Sequence, residues 1–353
     1  MAQDKLTVAV LFGGVSSEHE VSRMSVTSVI GNLDPQRYDL ILLGITKDGR
    51  WLRYTGAVEK IISGEWENCI QDCTPAVISP DASHHGILLL DGSGTVLRVD
   101  VVFPVLHGKN GEDGTVQGLF ELAQIPYVGC NVLASADCMD KEVTHIRLAR
   151  AGIPMAKFTV AHACEMRDFD ALEARVSGEV PYPIFVKPAN AGSSVGVSRA
   201  DDKEGLRRSL ELAFQNDGKA ILEETLTGRE VECAVIGNDN PIASRPGEIV
   251  PCNEFYDYEA KYLDDASELH IPARLSQEQE ETLRRLAVSA YQAMGCSGLS
   301  RVDFFVTKTR GVVLNELNTL PGFTNISMYP KLMQHMGMSY SGLLDKLIAL
   351  ALE

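Results

Sequence analysis

The sequence predicts an α/β protein with α+β parts, divided into three regions rather than built as one domain. The chain has 353 residues, 45% of them hydrophobic and 23% charged, which is enough for two or three substantial cores. Strand-like and helical stretches alternate in the first third, and this pattern is typical of a parallel, Rossmann-like sheet with crossover helices. No repeat or long linker separates the regions, so we expect them to pack against each other.

The first region is assigned to residues 1–129. Its predicted strands and helices alternate along the chain, as a parallel sheet requires. The strands are 7–12, 40–45 and 99–105, and the helices are 20–33 and 114–123.

The second region is assigned to residues 130–223 and the third to residues 224–353. The second contains a helix at 140–151, a strand, loop and strand over 183–197, and a strand at 220–223. The third contains a strand at 230–236, a charged loop at 253–265, a helix at 277–294, a hairpin around 307–311 and a closing helix at 341–352. Clefts between such regions are the natural places for ligands.

Charge and cysteine content narrow the class of protein. The net charge of -16 argues against broad nucleic-acid or anionic-membrane binding, so a small-molecule partner fits better. The eight cysteines show no metal-binding or Cys-x-x-Cys spacing, which is typical of reduced thiols. No apolar run approaches the ~20 residues of a membrane span, and the start of the chain is too short for a secretion signal. We therefore expect a cytoplasmic protein.

Four polar residues stand among the apolar residues of the predicted hairpin. Side chains two positions apart in a strand share a face, so Arg301 accompanies Asp303, and Glu316 accompanies Asn318. Carboxylate and amide oxygens suit Mg²⁺ held together with substrate phosphates, and the arginine suits developing negative charge. A buried salt bridge of Arg301 with Asp303 or Glu316 is an equally good interpretation of these residues taken alone.

A glycine-serine loop follows Lys187 in the second region. Its glycines allow close backbone approach, its serines add hydroxyl donors, and Lys187 adds a positive charge, as a flap over a polyphosphate requires. The Walker pattern is absent. The alternative is a plain hairpin turn with an exposed lysine.

Lys141, at the start of a helix, and the segment 221–230 would complete a nucleotide pocket. The segment links the second and third regions, so it can hold a base between them, with Glu223 or the neighbouring backbone accepting from an amino group and Glu230 binding ribose hydroxyls. Solvated carboxylates are the alternative.

Two glycine-rich loops in the first region each follow a strand. Glu18 lies after Gly13-Gly14, and His107 begins the other loop. The Gly-x-Gly-x-x-Gly fingerprint of dehydrogenases is absent. Glu18 could hold a substrate ammonium, and His107 is at a position where ligand-binding residues concentrate. The alternatives are a first-turn helix carboxylate and a hydrogen-bonded core histidine.

Taken together, these motifs resemble the D-alanine:D-alanine ligases of the ATP-grasp superfamily over nearly the whole chain. The matching residues occur in family order: Gly13-Gly14 with Glu18, His107-Gly108 with Glu112-Asp113-Gly114, Met139-Asp140-Lys141, Lys187-Pro188 with Gly192-Ser193-Ser194-Val195-Gly196, Glu223 with Glu230, Tyr256-Asp257-Tyr258-Glu259-Ala260-Lys261-Tyr262, and Asn318-Thr319-Leu320-Pro321-Gly322.

The resemblance implies a three-domain ATP-grasp enzyme, a homodimer, that joins two D-alanine molecules through an acyl phosphate for peptidoglycan precursors. It uses ATP and two Mg²⁺ ions, for which Mn²⁺ can substitute. The implied catalytic residues are Glu18, His107, Ser193, Tyr262, Arg301 and Gly322. The implied nucleotide-binding residues are Lys141, Lys187, Ser194, Glu223, Glu224, Leu226, Glu230, Lys261, Asn315 and Glu316. The implied D-alanine contacts are Glu18, His107, Ser327 and Met328, and the implied metal ligands are Asp303, Glu316 and Asn318.

Relatives that form D-alanyl-D-lactate or D-alanyl-D-serine leave the second substrate open. Lys261-Tyr262 argues against the lactate type, and the apolar Met328 suits a methyl group better than a hydroxymethyl group. D-alanine is therefore expected in both sites, and D-serine in the second is the main alternative. Another ATP-grasp ligase would need different amino-acid contacts. A catalytically silent ATP-binding module should have lost a metal ligand or the arginine, and none is lost.

Overall fold

The computed structural model describes residues 5–250 and 268–353. Within these ranges the chain forms three β-sheets of seven, four and six strands, surrounded by helices. The fold is therefore α/β with α+β parts, as predicted. None of the helices in the described ranges is both long and apolar enough to cross a membrane.

The first sheet has strand order β6-β5-β4-β3-β2-β1-β7. Its strands are β1 (Leu6–Gly13), β2 (Tyr38–Ile45), β3 (Trp51–Tyr54), β4 (Cys73–Ile78), β5 (Gly86–Leu89), β6 (Val96–Arg98) and β7 (Val101–Val105). The accompanying helices are α1 (His19–Asn32), α2 (Glu59–Ser63) and α3 (Thr115–Ala123), with short 3-10 helices at Glu65–Asn68 and Ile70–Asp72.

The prediction of a parallel sheet holds only for the three strands β2, β1 and β7. The strands from β3 to β6 pair antiparallel with their neighbours. The reason is the short connection 46–50 between β2 and β3, which leaves no room for a crossover helix, so the chain returns as a hairpin. The sheet is therefore mixed.

The second sheet is antiparallel, with order β10-β9-β11-β8. Its strands are β8 (Phe158–His162), β9 (Ile184–Pro188), β10 (Ser198–Ala200) and β11 (Lys219–Glu224). Helices α4 (Val132–Met139) and α5 (Lys141–Arg150) precede it, followed by a 3-10 helix at Ala163–Asp168 and by α6 (Phe169–Glu179) and α7 (Lys203–Ala213). The predicted strand, glycine-serine loop and strand is confirmed by β9 and β10, which pair across that loop.

The third sheet has the path β15-β14-β12-β16-β17, with β13 beside β12. Its strands are β12 (Gly228–Ile236), β13 (Ile242–Ala243), β14 (Gly247–Val250), β15 (Glu268–His270), β16 (Leu299–Thr307) and β17 (Gly311–Asn318). The helices are α8 (Gln277–Met294), α9 (Met328–His335) and α10 (Tyr340–Ala351). The predicted charged loop 253–265 lies outside the described residues.

The predicted hairpin is confirmed by β16 and β17. Arg301 stands opposite Asn318, and Asp303 stands opposite Glu316. A bulge follows Asp303, because the next pair is Phe304 with Leu314 and so Asn315 has no residue opposite it. The bulge changes the direction of the strand beside the polar residues.

The first and third regions share a hydrophobic core. One face of the first sheet packs with residues of α9 and α10, and the Phe103 and Phe323 rings meet edge to face at 6.1 Å. The second sheet has its own core with α6 and α7. The chain passes from the second to the third sheet between Glu224 and Gly228. The region boundaries after residues 129 and 223 remain predictions.

A capping box begins α8, and we expect Ser276→Ala to lower the free energy of unfolding by about 1 kcal/mol. The Gln279 N–H donates to the Ser276 hydroxyl at 3.2 Å, and the Ser276 N–H donates to the Gln279 side chain at 3.1 Å. Urea denaturation measures the change. Ser276→Asp keeps a side-chain acceptor and should retain most of the stability; equal loss in both variants would contradict the assigned cap.

Candidate active site

A cavity lies where the three regions meet. Its wall combines residues from each of them, which lie far apart in sequence. The polar residues that line it are Glu18, His107, Glu112, Lys141, Ser193, Glu232, Arg301, Glu316, Asn318, Thr319, Thr324 and Ser327. A cavity with this many convergent polar groups between domains is the natural ligand site.

Glu18 is buried in this cavity, immediately before α1. Its side chain makes no hydrogen bond to the start of the helix, so it does not act as a helix cap. Instead its carboxylate accepts a hydrogen bond from the Ser193 hydroxyl of the glycine-serine loop. A Cβ on Gly108 would collide with this carboxylate, and one on Gly192 would come within 2.8 Å of it. Two glycines therefore leave the space that Glu18 occupies.

His107 is buried and fully hydrogen-bonded, so the alternative of a satisfied histidine describes its local structure. Its Nδ1 lies 3.1 Å from the Leu320 carbonyl, and its Nε2 lies 3.2 Å from the Ser25 hydroxyl. Because a carbonyl can only accept, Nδ1 carries the proton and Nε2 accepts from Ser25. Burial lowers the pKa of His107, which favours the neutral ring. The residue also lines the cavity and binds the loop that contains Gly322.

Glu112 is a cavity residue that the site prediction did not include, although it lies in the glycine-rich loop after His107. Its carboxyl accepts from the Gly108 N–H at 2.7 Å. Burial and the neighbouring Glu18 raise the pKa of Glu112 well above its usual range. This shift favours the uncharged form of Glu112 near Glu18, which the sequence motif alone did not indicate.

Arg301 is held by two carboxylates. Its Nε and one terminal nitrogen bind the two oxygens of Asp303 at 2.8 and 2.7 Å, and Nε also lies 3.0 Å from Glu232. Burial works against the charge, but the two carboxylates raise the pKa of Arg301 further above its usual value. The buried salt bridge is thus present and lines the cavity as well. Glu232 was missed because its apolar neighbours on β12 predict only a core strand.

The three predicted metal ligands supply only oxygen donors. Asn318 donates its amide N–H to Asp303 at 3.0 Å, which turns its carbonyl oxygen away from that carboxylate, and Glu316 stands on the same strand face. In the described part of the chain, no three His, Cys, Asp or Glu side chains are grouped closely enough to hold a metal. The carboxylate and amide oxygens of these residues are of the kind that Mg²⁺ takes when substrate phosphates complete its ligands.

Lys187 and Glu223 form an ion pair beside the cavity, in which the Lys187 side chain is 15% exposed and the Glu223 side chain 7% exposed. The Lys187 ammonium lies 2.6 Å from one Glu223 oxygen and 3.3 Å from the Asn315 side-chain oxygen. The other Glu223 oxygen lies 2.8 Å from Nε2 of His145. Burial favours the neutral acid, but Lys187 and His145 outweigh it and hold the pKa of Glu223 at about 2. The Glu223 carboxylate is therefore ionised and already paired, rather than solvated.

Lys141 begins α5 and lines the cavity. Its ammonium donates to the Ala191 carbonyl of the glycine-serine loop at 2.7 Å. Burial, and then the nearby Lys187, lower the pKa of Lys141. Lys219 binds Asp140 and Glu142 at 2.7 Å each, which fixes the start of the helix against β11. The two predicted phosphate-binding lysines thus lie close enough to affect each other's charge.

The glycine-serine loop has an unusual backbone. Ser193 and Ser194 have φ angles of 49° and 58°, in the left-handed region that side chains seldom adopt. Such conformations cost free energy and are typical of sites that hold a ligand. The loop therefore has more than the role of a plain turn, although a contact of Ser194 with a nucleotide remains a prediction.

The rest of the predicted nucleotide pocket is only partly assembled. The Glu224 side chain binds Arg310 and the Lys157 N–H, on the other side of the strand from Glu223. Only the Glu224 backbone is therefore available to face a nucleotide. Leu226 lies on the link between β11 and β12, and Glu230 is half-buried on β12. The predicted residues Lys261 and Tyr262 lie outside the described ranges.

The C-terminal part of the chain contributes Gly322, Ser327 and Met328 to the wall of the cavity. The Thr324 N–H donates to the Ser327 hydroxyl at 3.0 Å, and a Cβ on Gly322 would lie 2.8 Å from that hydroxyl. Met328 is buried and lies against Gly247. This part of the wall combines the hydroxyls of Ser327 and Thr324 with the apolar Met328.

The three-part architecture, with lysines, carboxylates and an asparagine side chain at the junction, is that of the ATP-grasp class of ligase folds. A family model described as D-ala D-ala ligase N-terminus matches residues 7–130, and one described as D-ala D-ala ligase C-terminus matches residues 148–349. The chain belongs to the D-alanine–D-alanine ligase family.

Individual relatives agree over the whole chain. The D-alanine–D-alanine ligases of Ruminiclostridium cellulolyticum and Caldicellulosiruptor bescii are each 52% identical to it, across 99% of this chain and 96% of theirs. A solved D-Ala:D-Ser ligase from Enterococcus faecalis superposes with a TM-score of 0.90 at 44% identity, covering 99% of this chain and 100% of that one. The D-alanine-D-alanine ligase from Coxiella burnetii gives 0.86 at 35% identity, covering 99% and 94%.

The paired state of Glu223 predicts a pH dependence of stability. Its pKa is about 2 in the folded protein and 4.5 without the fold, so its stabilisation is complete above about pH 4.5 and is lost as the pH falls towards 2. The full effect is about 3 kcal/mol at most. We expect the free energy of unfolding of Glu223→Gln to fall less steeply than that of the wild type between about pH 5 and about pH 3. The exposed Glu211→Gln serves as control; parallel wild-type and Glu223→Gln curves would contradict the pairing.

Proposed function

We propose that this chain joins two D-alanine molecules into D-alanyl-D-alanine at the expense of ATP, the dipeptide used in peptidoglycan precursors. The observation that carries the proposal is the buried Glu18 carboxylate, held in space left by Gly108 and Gly192 in the same cavity as Arg301. A buried carboxylate with room before it suits a small ammonium ligand. Family membership and the names of the relatives support the same activity.

The reaction has two steps. Glu18, with His107 beside it, holds the ammonium of the first D-alanine. The carboxylate of this D-alanine attacks the γ-phosphate of ATP, which forms an acyl phosphate and releases ADP. The uncharged amine of the second D-alanine then attacks the acyl carbon, and phosphate leaves as the peptide bond forms. Positioning of two small substrates in one cavity supplies much of the rate.

Charge neutralisation is the task of the buried cations. The phosphates are bound by Lys141, Lys187, Lys261 and Ser194. The base is held by Glu223 and by the backbone of Glu224 and Leu226, and the ribose hydroxyls are bound by Glu230. Two Mg²⁺ ions, or Mn²⁺ in their place, supply positive charge to the transferring phosphoryl group when bound by Asp303, Glu316 and Asn318, with Asn315 beside them. The existing ion pairs of Lys187 and Arg301 keep these cations oriented before substrates arrive.

Arg301 and the Gly322 N–H are the proposed donors to the tetrahedral oxyanion of the second step. Asp303 binds Nε and one terminal nitrogen of Arg301, and we assign the other terminal nitrogen to the substrate. Preorganised donors of this kind contribute about 3 kcal/mol each in known enzymes. Because Asp303 and Glu232 hold the guanidinium, little reorganisation is needed during the reaction.

The closed loop protects the intermediate from water. The Ser193 hydroxyl already binds Glu18 and so brings the glycine-serine loop over the cavity. We assign Tyr262 to the same network as a second cover. Exclusion of water matters because an acyl phosphate exposed to solvent would be hydrolysed.

D-alanine is the proposed second substrate, with Ser327 and Lys261 at its carboxylate and Met328 at its methyl group. The buried Met328 side chain is apolar, which suits a methyl group better than a hydroxymethyl group. One specific observation favours the D-serine alternative, namely the close superposition on a D-Ala:D-Ser ligase. The more identical relatives are named D-alanine–D-alanine ligases. We further propose a cytoplasmic homodimer, with domain boundaries after residues 129 and 223.

Product analysis tests the function directly. Purified protein with MgATP and D-alanine, alone and in competition with D-serine and D-lactate, should release ADP in step with D-alanyl-D-alanine and form little mixed product. A dominant D-alanyl-D-serine product would overturn the assignment of the second substrate. The absence of ADP release that depends on D-alanine would overturn the proposed function as a whole.

Gly108→Ala should impair D-alanine binding, because its Cβ would displace the Glu18 carboxylate. We expect the KM for D-alanine to rise at least about tenfold, equivalent to about 1.4 kcal/mol. Gly152→Ala is the matched control, since Gly152 also has a positive φ of 73° but would place its Cβ in open space. If the two variants show the same KM for D-alanine as the wild type, the placement of Glu18 at the substrate is wrong.

A further inference from the structure

His145 is a buried polar residue that no part of the proposed mechanism uses. It lies on α5 one turn after Lys141, so both side chains leave the helix on the same face. Its side chain is 3% exposed, and its Nε2 lies 2.8 Å from Glu223. Phe158 covers the ring, with the two ring centroids 4.4 Å apart.

The protonation state of the ring follows from its partner. Glu223 is ionised and therefore only accepts hydrogen bonds, so the Nε2 of His145 must be the donor. The other ring nitrogen, Nδ1, is buried and has no hydrogen-bond partner among the residues that the structure describes. Among the described residues, the hydrogen bond of the His145 ring is therefore the one from Nε2 to Glu223. An apolar side chain would fill the same space without this uncompensated nitrogen, which argues for a role beyond packing.

The geometry divides the Glu223 carboxylate between two donors. His145 holds one oxygen at 2.8 Å, and Lys187 holds the other at 2.6 Å. When Lys187 turns to a phosphate, the second oxygen loses its partner while the first keeps His145. The carboxylate then remains ionised and oriented, with one oxygen available to accept from an amino group of a nucleobase.

We propose that His145 is a positioning residue for nucleotide binding, which orients Glu223 so that one carboxylate oxygen can pass from Lys187 to the amino group of a purine base. The inference rests on the proposed nucleotide site around Lys187 and Glu223. His145 acts through Glu223 and does not itself contact the reacting atoms.

The test compares His145→Leu with His145→Gln. Leucine removes the donor but keeps the bulk, whereas the glutamine amide can still reach Glu223 with an N–H. We expect His145→Leu to raise the KM for ATP, and the Kd for ADP with Mg²⁺ measured by calorimetry, about tenfold. The KM for D-alanine should change less than about twofold, and His145→Gln should stay within about threefold of the wild type for ATP.

Two results would overturn the proposal: unchanged ADP affinity in His145→Leu, or equal losses in the leucine and glutamine variants, which would indicate a packing role. If His145→Leu fails to fold, His145→Asn replaces it, because its shorter amide cannot place a donor at the position of Nε2. In a Glu223→Gln background, His145→Leu should cause no further loss of ADP affinity if it acts through Glu223.

His84→Gln is the matched control, since His84 is a hydrogen-bonded histidine between β4 and β5, with its Nδ1 2.8 Å from Ser79. Its ADP affinity should equal that of the wild type. The calorimetric readout also separates the two proposals. Wild-type protein that binds ADP but forms no dipeptide would refute the ligase function and still allow the role of His145 to be tested.

Discussion

The pairing of buried cations is the constraint on which the rest of this structure depends. Lys187 and Arg301 are largely shielded from water, with side chains 15% and 16% exposed, and such charges are stabilised when they are paired. Lys187 on β9 pairs with Glu223 on the neighbouring strand β11. Arg301 on β16 pairs with Asp303 of the same strand and with Glu232 on the neighbouring strand β12. The site is therefore complete only when the strands that carry these residues lie side by side.

This constraint links the fold to the proposed chemistry. The carboxylates keep the cations charged and oriented without substrate, so in the proposed mechanism Lys187 needs little reorganisation to meet a phosphate. Asp303 has two roles in this proposal, because it binds Arg301 and is also a proposed metal ligand. The salt bridge and the metal site, which compete as interpretations of the sequence, are compatible in the structure, since Glu316 and Asn318 stand on the facing strand.

Glycine placement serves the same end on the opposite wall. Gly108 and Gly192 come from different regions, yet both leave the space that the Glu18 carboxylate fills. The Ser193 hydroxyl then joins that carboxylate to the glycine-serine loop. Burial and the nearby Glu18 raise the pKa of Glu112, which favours its uncharged form. The proposed site for a small zwitterion therefore depends on the missing side chains of Gly108 and Gly192 as well as on the Glu18 carboxylate.

The sequence by itself determined the local elements and the positions of the motifs. Alternation, capping residues and turn residues act over a few positions, so the hairpin of β16 and β17, the strands around the glycine-serine loop and the helices α1, α3, α5, α8 and α10 could be predicted. Several residues that line the cavity, among them Glu18, Arg301 and Glu316, could be predicted as well. The tertiary structure alone decided the contacts that His145, Glu232 and Glu112 make. It also turned the Glu224 side chain away from the cleft. These features depend on contacts between residues that are far apart in the chain. A local sequence pattern cannot predict which partner such a side chain contacts after the regions pack together.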